Sequence, residues 1–79
     1  MQDQVLKPSQ VEVDPSEWVR ANFGRRPSGR GSWAFCKVNP RRSDYLDHMI
    51  WESGLYSEAR KAAQAKAAAL GIGVLYVCS

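Results

Sequence analysis

At 79 residues, with 44% hydrophobic and 24% charged side chains, the chain has the size of one small domain and a globular composition, far from the polar, charge-rich class that stays disordered. No apolar run nears the roughly 18 residues that cross a bilayer, and the opening MQDQVLKPSQ lacks the basic-then-apolar order of a signal peptide, so a cytoplasmic chain without membrane contact is expected. Cys36 and Cys78 fit no CxxC spacing, which leaves no metal site and no cofactor indicated; both read as buried thiols on neighbouring strands that stay reduced.

The net charge of +3 says less than its distribution. Arg20, Arg25, Arg26, Arg30, Lys37, Arg41 and Arg42 follow one another with no acidic residue among them, and the flanks carry all eight carboxylates. Such segregation produces a local positive field whatever the total, and nucleic acid is its commonest partner.

In chain order, residues 1–13 show neither helical nor strand periodicity and read as a flexible N-terminal tail, leaving 14–79 as a single domain. Asp14-Pro15-Ser16-Glu17 then supplies a helix start: a capping Asp, Pro at the first helical position and a Glu that reaches back to the cap. The short helix runs to about Asn22, with Val19 and Phe23 beside Trp18 as its apolar side and Gly24 ending it. GRRPSGRG, residues 24–31, opposes both helix and strand and reads as a mobile basic loop.

Ser32 to Val38 alternates Trp33, Phe35 and Lys37 against Ala34, Cys36 and Val38, the pattern of a first strand, which Asn39-Pro40 ends. Residues Ser43 to Ser53 fit two patterns, with Leu46, Met49 and Ile50 at helical spacing and strand formers from His48 to Glu52. A strand is expected, because two strands alone would not cover a helix stably, and Gly54 follows as a turn. Ser57 caps a long helix over Glu58 to Leu70, which carries seven alanines and only one large apolar residue, Leu70. Its small side chains let the axis approach a sheet closely, so the bulk must come from Trp33, Phe35, Ile50, Leu75 or Val77.

Lys66 falls on the apolar stripe and must either snorkel past the sheet edge or mark a rotated contact face, while Arg60, Lys61 and Gln64 occupy the solvent side. Gly71 ends the helix, and Val74 to Cys78 forms the last strand. A right-handed crossover through the long helix sets the last strand beside the first. The fold expected is α+β: a three-stranded, mainly antiparallel sheet packed by one long Ala-rich helix, with a short N-terminal helix, in the order α-β-β-α-β.

Catalysis needs a nucleophile with its base, a carboxylate pair or a metal cluster. His48 near Asp44, Asp47 and Glu52 is the nearest approach, and on a strand His48 and Glu52 share a face while Asp47 points away. A structural or solvated histidine is the simpler reading, so no enzyme is expected. GRRPSGRG lacks the Lys-Ser/Thr ending of a nucleotide loop and precedes a strand, yet its arginines suit the phosphates of a polymer. Trp33, directly after it, sets an aromatic face next to positive charge, although in so small a domain Trp33 and Trp51 also read as core and Trp18 as the cover of a sheet edge.

Gly31-Ser32-Trp33-Ala34 opening a strand, Trp51-Glu52-Ser53-Gly54 closing another and Ser57-Glu58-Ala59 opening an alanine-rich helix form a pattern over Arg25 to Ala69. This pattern resembles the sheet-plus-helix DNA-binding domain of plant ethylene-response factors and the arm-site-binding domain of tyrosine recombinases. The resemblance implies a sheet entering the major groove, with Arg25, Arg26, Arg30, Trp33 and Lys37 as contacts. Two functions suit these residues. One is a nucleic-acid-binding module acting through Arg20, Arg25, Arg26, Arg30, Trp33, Lys37, Arg41 and Arg42. The other is a small protein-binding inhibitor or adaptor, of the kind phages and mobile elements encode, that sets the same basic face against an acidic host surface. Either suits a monomer or a weak homodimer paired through an open sheet edge.

Overall fold

A computed structural model describes residues 6–78. It is α+β, as expected, but the sheet has four strands. In chain order the elements are a 3-10 turn over Pro8–Gln10, β1 (Glu12–Asp14), α1 (Ser16–Ala21), β2 (Arg30–Cys36), a 3-10 turn over Tyr45–His48, β3 (Met49–Leu55), α2 (Tyr56–Ala69) and β4 (Val74–Val77). The sheet order is β1-β4-β2-β3, with β2 antiparallel to both its neighbours and β1 parallel to β4. α2 therefore carries the chain from β3, across β2, to β4, and the last strand lies beside the first long one. The order is β-α-β-β-α-β, not α-β-β-α-β.

The alanines decide how close the layers come. Ala59, Ala63, Ala67 and Ala68 form the buried stripe of α2, and Trp33, Phe35, Ile50, Leu75 and Val77 fill the space opposite. All five bulky residues expected to face the helix do so, because each helix position contributes only a methyl group and the sheet must supply the volume. α2 begins at Tyr56, two residues before its expected start, where the Tyr56 N–H donates to the Gly29 carbonyl at 2.8 Å. It ends as Gly71 predicts: with φ at +75°, Gly71 turns back so that its N–H reaches Ala68 O and the Ile72 N–H reaches Ala67 O.

Residues 43–53 hold a strand, but only from Met49 onward; the helical spacing of the first half resolves into one 3-10 turn. Gly54, expected as a turn, stays inside β3 opposite Gly31. Its φ of +115° is open to a residue without Cβ, and its carbonyl accepts the Trp33 indole N–H at 3.2 Å, satisfying a donor that burial would otherwise strand.

The N-terminal segment corrects the expected tail. Residues 1–5 lie outside the described residues, but Val11 is 2% exposed, Leu6 and Val13 pack against the core, and β1 adds the fourth strand. The segment is tied down twice: the Glu12 N–H donates to Gly73 O at 2.9 Å, and Gln64 Nε2 donates to Val11 O at 2.8 Å. Gln64 thus faces the incoming strand instead of water. Three residues are too few for a period of two to be visible, which is why β1 escapes the pattern. Lys66 takes the snorkelling course: its ammonium leaves the apolar stripe and meets the Glu52 carboxylate on the edge strand β3.

If this segment is part of the fold, Val11→Ala should lower unfolding free energy by about 1–2 kcal/mol, and Gln64→Ala by about 1 kcal/mol. Urea titrations followed by tryptophan fluorescence measure both, and midpoints equal to the parent's would show that residues 6–14 do not contribute to stability.

Candidate nucleic-acid interface

The seven basic residues from Arg20 to Arg42 divide into three sets. Arg41 and Arg42 lie in the connector between β2 and β3, and both meet carboxylates. Arg41 Nε stands 3.2 Å from Glu17 Oε2 on α1, and Arg42 grips Asp44 with both arms, Nε to Oδ1 at 2.9 Å and Nη2 to Oδ2 at 2.8 Å. The Arg42 guanidinium holds the Asp44 carboxyl below its ordinary range. Their charge is largely answered within the chain. Lys37 is half-buried just past β2, where its N–H closes on His48 O at 2.7 Å. Arg20, Arg25, Arg26 and Arg30 are exposed and, among the described residues, meet no carboxylate within ion-pair distance.

These four follow from local structure. Arg20 occupies the last turn of α1, where a cation suits the helix dipole. Asp14 starts that helix by accepting both the N–H and the hydroxyl of Ser16, which lowers its own pKa. Arg25 and Arg26 sit in the irregular loop, which is less free than its composition implies: Pro27 is buried and Gly29 O is bonded to Tyr56 at the head of α2. Arg30 opens β2 opposite Leu55.

The aromatic residues are arranged otherwise than expected. Trp33 is only 6% exposed and faces α2, with Trp18 and Tyr56 against its ring at centroid distances of 5.8 and 5.0 Å. It is a core residue and offers no surface to a partner. Burial also raises the Tyr56 hydroxyl's pKa. Trp51, one residue out of phase with Ile50 on β3, stands opposite Ala34 on the other face of the sheet and is 58% exposed, so the core reading of Trp51 is corrected. A shift of one position on a strand exchanges faces, and Trp33 and Trp51 take opposite outcomes of that rule.

Phe23 departs furthest. It does not cover α1 but is 98% exposed, at a φ of +58°. The left-handed backbone costs a residue with a Cβ about 1 kcal/mol or more, and it turns the ring away from Val19 and out of the helix line. Its chain neighbour Gly24 lines an open groove of about 440 Å³ together with Pro15, Ser16, Val19, Arg20 and Arg26, which brings Arg20 and Arg26 to one site; Phe23 stands at the groove's margin in the chain and is not part of its wall. Arg-rich composition pointed to this region; nothing in the sequence signalled that Phe23 would leave the helix.

His48 Nε2 lies 3.3 Å from Asp44 Oδ2, in a cluster that Arg42 already shares, while Glu52 faces α2 and Lys66. Among the described residues no three of His, Cys, Asp and Glu come together as metal ligands. Cys36, buried on β2, donates its thiol to Tyr45 O, and Cys78 follows β4, bonded through its N–H to Ala34 O; both are free thiols. Burial, with Cys36 alongside, pushes the Cys78 thiol up to about 12. The uncharged form is favoured in the fold, so at pH 8 the reactive thiolate should be scarce. Iodoacetamide labelling of the native protein, followed by mass spectrometry, should run roughly a hundredfold slower than in denaturant. Equal rates would place Cys78 in solvent.

No protein-family model matches the chain, no curated protein matches it in sequence and no solved structure matches its fold.

Proposed function

We propose that this chain is a small, non-enzymatic nucleic-acid-binding module that engages the phosphates of DNA or RNA through Arg20, Arg25, Arg26 and Arg30. The carrying observation is the unequal fate of its arginines: Arg41 and Arg42 are held by Glu17 and Asp44, while Arg20 on α1, Arg25 and Arg26 in the loop and Arg30 at the start of β2 are exposed with, among the described residues, no carboxylate within ion-pair distance. Exposed cations on a pinned loop attract a polyanion and release its counterions on contact. Trp33, buried in the core, drops out of the interface, and Arg41 and Arg42, paired with Glu17 and Asp44, contribute little to the positive field, to which half-buried Lys37 adds only at the margin.

The protein-partner reading has one observation in its favour. Trp51 and Leu55 lie exposed with Ser32 and Ser53 on the face of β2 and β3 turned from α2, with Arg30 opposite Leu55 at its end, a mixed apolar and polar surface of the kind an inhibitor or adaptor presents.

Combined Arg25→Ala, Arg26→Ala and Arg30→Ala substitution separates the two. All three side chains are exposed, so each change should alter stability by only roughly 0.5 kcal/mol. Losing three phosphate contacts should reduce the slope of log affinity against log salt by about 2 to 3. Fluorescence anisotropy with labelled duplex and single-stranded oligonucleotides over a salt series gives the slope, and unchanged affinity and slope in a folded triple mutant would sink the nucleic-acid reading.

A further inference from the structure

Phe23 and the groove beside it ask for a ligand with a flat aromatic part and flanking anions. The ring is held on a firm base: Gly24 N–H donates to Val19 O at 2.9 Å, Arg25 N–H to Asn22 O at 3.1 Å, and Asn22 Nδ2 to Trp18 O at 2.8 Å, while Pro27 is buried a few residues on. A strained backbone that displays an aromatic ring almost wholly to water marks a contact, since the same turn with Gly or Asn at position 23 would be easier to form. The groove has a partly apolar lining in Pro15 and Val19, no carboxylate in its wall, and arginines at positions 20 and 26. Its volume of about 440 Å³ falls within the range of sites for small organic groups, about 300–1,000 Å³.

We propose that the turn after α1 is a site for an unpaired nucleotide of a single strand, with Phe23 stacking on the base and Arg20 and Arg26 holding the adjoining phosphates. The proposal rests on the nucleic-acid reading above and narrows it to single-stranded substrate. A duplex presents phosphates to the arginines but keeps its bases stacked inside, where Phe23 has no face to meet. A single strand offers both parts at once, and every base has a face on which an aromatic ring can stack, so the site is tolerant of sequence.

The test compares wild type with Phe23→Ala and Phe23→Tyr in anisotropy titrations. The probes are labelled oligothymidine and a labelled blunt-ended two-strand duplex with the same number of phosphates, at one fixed salt concentration and then over a salt series. Wild type should prefer the single strand; Phe23→Ala should weaken that binding roughly tenfold while leaving duplex affinity and both salt slopes unchanged, and Phe23→Tyr should retain it. Phe23 touches no core, so thermal melts of the variants should coincide with the parent's. If wild type binds and Phe23→Ala binds the single strand equally well, or loses equally on both probes, the nucleotide site is overturned while the phosphate-binding reading stands. If wild type binds neither probe at low salt, both fall together. Sedimentation with phosphatidylserine vesicles that depends on Phe23, without a single-strand preference, would overturn the proposal in favour of a membrane surface.

Discussion

The methyl stripe of α2 lying against the sheet is the contact on which the other features depend. Four alanines bring the helix axis close to the sheet, and closeness puts the large fully buried residues on the sheet side. Trp33 and Phe35 pack there with Tyr56, the first residue of α2, as one aromatic group, with Trp18 from α1 closing its margin. Because Trp33 is committed there, the surface next to the basic loop cannot borrow its ring. Phe23, between Arg20 and Arg25 in the chain, is instead the aromatic that stands exposed there.

The same economy of size shapes the electrostatics. A thin domain has little interior in which to bury charge, and among the described residues no charged side chain is buried in the core. Carboxylates instead answer cations at its margins: Glu52 with Lys66 across α2 and β3, Glu17 with Arg41 between α1 and the long connector, and Asp44 with Arg42 inside that connector. Such exposed pairs add little stability each. Their effect is on the surface potential, because they quench the positive field at the connector and leave it concentrated between α1 and β2.

The strong periodic elements were legible in the sequence. The alanine helix, its glycine stop, the aromatic strand and the final Val-Leu-Tyr-Val strand all carry signals several residues long, and all stand where expected to within about two residues. What escaped was short or dependent on phase. β1 spans three residues and exists only because β4 offers an edge; no local propensity marks it. Trp33 and Trp51 have the same composition-level claim to core or surface, and only the register of β2 with β3 separates them. In the candidate site, the arginines were readable as a block without acids, but which of them would be neutralised depended on tertiary neighbours more than 20 residues away in one case and two residues away in the other. Phe23 looked like the end of an amphipathic stripe; the left-handed turn that expels it is a backbone event that side-chain spacing does not encode.

The tie between Val11 and Gln64 joins positions 53 apart, and β1 pairs with the last strand of the fold. During synthesis the hairpin of β2 and β3 and then α2 emerge with most of their partners already made, whereas β1 waits for nearly the whole chain before its edge exists. Closing so long a loop carries an entropy that local contacts do not repay, so β1 should dock late and fray early, the last part of the molecule to gain protection and the first to lose it. Until then the outer edge of β4 stands open, and a strand from a neighbouring chain competes for the place that β1 will take. The order of translation thus makes the smallest strand the guard against self-association.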